Sequence, residues 1–119
     1  MWVFTDTGFV SAVLDKNDSD FLVVRSRDRK SIDDLAHHVG VDVVVGAGTD
    51  YPYRVFVRHA DFTEWVAQKA MDIDYTNYKS LMAESRPRDL EFLEALHDVW
   101  AAMLATEDTT GRSGHLRVI

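Results

Sequence analysis

The sequence predicts an α+β fold: a mainly antiparallel five-stranded sheet in the order β-β-β-α-β-β-α-α-α, with helices packed on one face. Three observations carry this. Short runs rich in β-branched and aromatic residues, bounded by Gly, Asp and Pro, dominate the first half of the chain. After Arg58 the apolar residues change to helical spacing and keep it as far as Leu104. A single helical stretch interrupts the strands, too few crossovers for a parallel sheet. The portion from Phe21 to Ile73, β-α-β-β-α, is expected to form part of a ferredoxin-like plait.

Trp2 to Thr5 and Phe9 to Leu14 are apolar and aromatic. Asp6-Thr7-Gly8 separates them, a short loop with a glycine available for positive φ, which predicts a hairpin. Lys16 to Asp20 is a polar turn leading into a third strand, Phe21 to Arg27. Ser31 to Val39 reads as a helix: Ser31 stands where an N-cap belongs, Asp34 lies three residues on, and Ile32, Leu35, Ala36 and Val39 form one stripe. Gly40 then occupies the C-terminal cap position. Val41 to Val45 and Tyr53 to His59 are the fourth and fifth strands. In the fifth, Tyr53, Val55, Val57 and His59 share one face, and Arg54, Phe56 and Arg58 the other.

Asp61 and Glu64 have capping-box spacing and are expected to open a helix from Phe62 to Ile73. Asp74 is expected to cap a second helix carrying Tyr75, Tyr78, Leu81 and Met82, and Pro87 to sit in the first turn of a third. That third helix aligns Phe92, Leu93, Leu96, Val99, Trp100, Met103 and Leu104 in one continuous stripe, which predicts core packing. Trp65 and Trp100 are expected in the core, and Trp2 there or partly exposed at the terminus. Residues 1–105 are expected to form a single domain, with 106–119 a flexible tail by its EDTTGRSG composition and LRVI at its end either docked as a last strand or loose.

A chain of 119 residues, 46% hydrophobic and 28% charged, belongs to the ordinary globular class. It lacks cysteine, which excludes disulfides, thiol nucleophiles and thiolate metal sites. With no long apolar run and no basic leader followed by an apolar segment, the expectation is a cytoplasmic protein that does not enter a membrane. The net charge of −7 is lopsided: residues 1–60 carry a balance of −2 and residues 61–110 one of −7. Such acidity argues against general phosphate-backbone binding and leaves a basic partner open.

Two places gather side chains suited to recognition. The segment from Gly46 to Arg54, GAGTDYPYR, completes neither a P-loop nor a Rossmann spacing, and reads first as a hairpin turn. As a ligand loop it would use Asp50, Tyr51, Tyr53 and Arg54, an acid, two phenols and a guanidinium. The second place is basic. Arg25, Arg27 and Arg29 alternate around the third strand, as Arg54, Phe56 and Arg58 do on the fifth; were those strands neighbours, cations and an aromatic would share an open face of the kind single-stranded RNA binders use. The RNP1 signature is absent, and the alternative is that these arginines pair with Asp28, Asp33, Asp34 and Asp61. His37 and His38 diverge on a helix, no histidine pair has metal spacing, and neither a GxSxG elbow nor a Ser-His-Asp set can be assigned. No catalytic residue, metal or cofactor is therefore expected.

The stretches MWVFTDTGFVSAV, VRSRDRKSIDDL, GAGTDYPYR, DIDYTNYKS and the late tryptophan of HDVWAAML resemble, in the same order over most of residues 1–100, a family of small uncharacterised bacterial and bacteriophage proteins. That family has no assigned activity, so the resemblance transfers no catalytic residues. It implies that the loop Gly46 to Arg54 and the segment Asp72 to Lys79, with Tyr75, be tested together, and a phage origin implies a host protein as target. The expectation is a non-catalytic protein-interaction module using either the acidic helical half or the GTDYPYR loop. The alternative is single-stranded RNA or nucleotide binding through Arg25, Arg27, Arg54, Phe56 and Arg58. A free sheet edge leaves a homo-oligomer open.

Overall fold

The computed structural model describes residues 1–46 and 50–108. Among them are five strands and four helices: β1 (Trp2–Thr5), β2 (Gly8–Leu14), β3 (Phe21–Ser26), α1 (Arg29–Val39), β4 (Val44–Val45), β5 (Tyr53–Arg58), α2 (His59–Met71), α3 (Tyr78–Ser85) and α4 (Leu90–Leu104). The strands form one antiparallel sheet in the order β1-β2-β3-β5-β4. The α+β architecture predicted from the sequence is the one observed. Because β5 lies between β3 and β4, the β3-α1-β4-β5-α2 segment is a split β-α-β, the ferredoxin-like element. The chain divides into two compact units, Met1–Thr76 and Asn77 onward. Of the expected tail, 106–119, the part from 109 on, with LRVI, lies outside the described residues.

The hairpin of β1 and β2 closes on Asp6 and Thr7, with Gly8 at φ 140°, a conformation that disfavours side chains. Alternation along the strands then separates two faces. Ala12, Val24 and Val55 lie opposite one another on the first, and Leu22 opposite Val57. With Val10 they bury against Ile32, Leu35 and Ala36 of α1 and against Phe62 and Trp65 of α2. At about 25 cal/mol per Å² of apolar surface removed from water, this cluster is the main stabilising term of the first unit.

The helix ends differ from expectation at several points, each for a physical reason. α1 is capped by Asp28, whose carboxylate accepts from Ser31 N. The Ser31 hydroxyl instead accepts from Phe9 N at 3.1 Å, so a tertiary bond claims the predicted cap. Gly40 does close the helix, at φ 82° with its N–H on Ala36 O. α2 follows β5 directly, three residues before Phe62 and without a side-chain cap, leaving Asp61 in its first turn rather than capping it. α3 is capped by Asn77, not Asp74, so Tyr75 lies outside any helix. α4 is capped by Asp89, and Pro87 falls in the turn before it.

The largest departure is in α4. Of its stripe only Leu96 is buried; Val99, Trp100, Met103 and Leu104 are exposed. Trp2 is exposed as well, and of the three tryptophans Trp65 alone is in the core.

Candidate functional site

The residues of the Gly46–Arg54 loop hold one another. Gly46 N donates to Pro52 O at 2.8 Å and closes the β4–β5 hairpin. Tyr51 is buried, with the guanidinium carbons of Arg25 and Arg27 lying 4.5 and 4.1 Å from its ring centre. Arg27 Nη1 also meets Asp50, both its backbone carbonyl and its carboxylate. Arg54 Nε donates to Tyr51 O at 3.4 Å. Asp50, Tyr51 and Arg54 therefore come together. Tyr53, opposite Ser26, points to the helix-covered face, where Arg29 lies 5.8 Å from its ring. Tyr75 stands apart from them all: it lines a hollow of about 140 Å³ with Val3, Thr5, Val66 and Ile73, along β1, whereas the loop joins β4 and β5 at the opposite edge. Residues 47–49 of the loop lie outside the described residues.

The basic set fares differently. β3 and β5 do pair, and the register sets Arg25 opposite Arg54, Val23 opposite Phe56 and Phe21 opposite Arg58. One cross-strand row runs Trp2, Ser11, Arg25, Arg54, Val44 through all five strands. This is the face turned away from α1 and α2. Trp2 is 72% exposed and Phe56 40%. Phe4 stacks on Phe9 at 4.7 Å, Trp2 meets Phe9 edge-on at 5.9 Å, and the Arg58 guanidinium lies 4.7 Å from the Phe21 ring. Arg27 belongs elsewhere: β3 ends at Ser26, and Arg27 serves the loop. Of the acids expected to neutralise the arginines, Asp33 does so, with Arg29. Asp28 caps α1, Asp34 binds Lys69, and Asp61 has no arginine partner among the described residues.

A third cluster escaped the sequence reading. Lys69 Nζ sits between Asp6 Oδ1 at 2.9 Å and Asp34 Oδ2 at 2.8 Å, and Trp65 Nε1 donates to the same Asp34 oxygen at 2.9 Å. Asp34, Trp65 and Lys69, with His37, His38 and Asp72, line a hollow of about 220 Å³ between α1 and α2. Burial alone would push the Asp34 carboxyl up, but hydrogen bonds from Lys69 and Trp65 and the Lys69 charge outweigh it and hold it below its usual range. For Lys69, burial would lower the ammonium; its bonds and charge contacts with Asp34 and Asp6 raise it. An amine held protonated this way ties the β1–β2 turn, α1 and α2 together as an ion-paired staple. The sequence signal was the spacing of Trp65 and Lys69, four apart on one helix face.

Among the described residues no three His, Asp or Glu side chains gather to hold a metal ion, and no helix is long and apolar enough to cross a membrane. Comparison with protein-family models, curated proteins and solved structures finds no match, so geometry alone informs the functional reading.

On α4 the apolar side chains are presented rather than packed. Trp100 is 53% exposed and Met103 62%, flanked by Val99 and Leu104. His97 stacks on the Trp100 ring at 5.8 Å and Lys79 Nζ approaches it at 4.9 Å, which fixes the indole in place. From Asp89 to Asp108 the chain carries Glu91, Glu94, Asp98 and Glu107 between those two acids, and no Lys or Arg.

Proposed function

We propose that this chain is a non-catalytic protein-interaction module and that α4 is its docking helix. The observation that carries the reading is the exposed quartet Val99, Trp100, Met103 and Leu104 on a helix whose only fully buried side chain is Leu96. Exposed apolar side chains in a contiguous patch, with Trp and Met at the centre, are the chemistry of interface cores. Helical spacing fits the helix-in-groove mode of recognition. Charge narrows the partner: the segment Asp89 to Asp108 carries six acids and no Lys or Arg, and Lys79, from α3, is engaged by the Trp100 ring, so the complementary surface is an apolar groove rimmed by basic residues. The same acids disfavour an anionic lipid surface, where interfacial helices carry Lys and Arg. They also disfavour a second copy of α4, which would set acid against acid.

The test is affinity capture from host lysate with the full tagged chain, compared with the double variant Trp100→Ala, Met103→Ala. A protein retained by the wild type, lost with the double variant and weakened by salt supports the reading. Capture indifferent to the two substitutions, or self-association that depends on them, overturns it.

A further inference from the structure

The sheet carries a second surface with the opposite chemistry. None of the residues in β1, β2, β3, β4 or β5 is Asp or Glu, in a chain whose net charge is −7. On the face away from α1 and α2, Arg25 lies directly opposite Arg54, and Arg58 follows further along the same strand. Like charges directly opposite in a sheet repel. Arg25 is held by the Ser11 hydroxyl at 2.9 Å and by the Tyr51 ring, Arg54 by one carbonyl, and Arg58 by the Phe21 ring. None of the three has a carboxylate partner among the described residues. Their repulsion is thus left for an external anion to relieve. Beside them stand the exposed rings of Phe56 and Trp2, and the row that holds Arg25 and Arg54 begins at Trp2.

The geometry points to this face as a binding site for single-stranded nucleic acid, with bases stacked on Phe56 and Trp2 and phosphates on Arg25, Arg54 and Arg58. Guanidinium forks match phosphate oxygens, and flat rings accept unpaired bases of any sequence. A duplex hides its base faces and would forgo the stacking. An acidic peptide would satisfy the arginines but leave the aromatic rings without a planar partner. The site lies in the unit Met1–Thr76, whereas α4 belongs to the other.

The experiment is fluorescence anisotropy of a labelled 12-mer uridine RNA titrated with the purified full chain at low salt. Saturable binding is expected. Arg54→Gln and Arg58→Gln should each weaken it at least about fivefold and make the slope of log K against log salt shallower by about 0.7. Phe56→Ala should weaken it about tenfold and leave that slope unchanged. Trp100→Ala should change nothing. Removing one of the two facing arginines relieves repulsion, so Arg54→Gln should melt no lower than wild type, which separates lost contact from lost fold. Absence of binding overturns the proposal. So does equal binding of duplex RNA or polyglutamate, or Phe56→Ala binding like wild type.

Discussion

Lys69 is the residue at which three elements meet: Asp6 comes from the β1–β2 turn, Asp34 from α1, and Lys69 with Trp65 from α2. Its contribution to stability has a defined pH window. Asp34 titrates below its unfolded value of about 3.9, so its share is complete above that value and disappears as pH falls through the folded one. Lys69 titrates above its unfolded value of about 10.4, so its share is complete below that and is lost as pH rises through the folded one. Both carboxylates are half exposed, which limits the pair to the modest energies of partly solvated ion pairs. Lys69→Met should therefore cost about 1 kcal/mol at pH 7. In urea titrations across pH, the gap between variant and wild type should stay constant through the neutral range and narrow at both extremes. A gap that does not change with pH would show that the charge plays no part.

At the scale of the element, α4 separates fold from surface within one helix. Leu96→Ala should cost about 2–3 kcal/mol, the range for a buried leucine. Trp100→Ala should cost less, since about half of the residue is already in solvent and its ring contacts with Lys79 and His97 are each worth about 1 kcal/mol or less. Equal losses in thermal or chemical denaturation would mean that the tryptophan packs after all. The sequence shows α4 and its stripe plainly, because 3.6-residue spacing reports that one side is apolar. It does not show what covers that side: an internal core and a docking surface have the same period. The strands were legible for a similar reason, since alternation in the fifth strand correctly parts Val55 and Val57 from Arg54 and Phe56. Caps were less so. Ser31 looks like an N-cap, but a backbone N–H from Phe9 engages its hydroxyl and Asp28 takes the role. The Lys69 staple was hidden because Asp6, Asp34 and Lys69 meet only in three dimensions. Of the candidate loop residues, local spacing grouped Asp50, Tyr51 and Arg54 correctly. Alternation along the fifth strand already set Tyr53 on the face opposite Arg54, as observed, whereas nothing local showed that Tyr75 lies at the other edge.

Across the whole molecule the charge is segregated rather than mixed. The strands hold every arginine of the open face and no acid, and the segment from Asp89 to Asp108 holds acids and no Lys or Arg. Two surfaces of opposite sign suit two ligands of opposite sign, each with an affinity that falls as salt rises. The central claim is that the α4 stripe stands open in the free chain and is covered by a partner. Hydroxyl-radical footprinting tests it most directly, because tryptophan and methionine oxidise in proportion to their exposure. In the purified chain Trp100 and Met103 should label quickly while Trp65 stays protected, and both should become protected in the captured complex. Protection of Trp100 in the purified monomer, or undiminished labelling in the complex, would contradict the account.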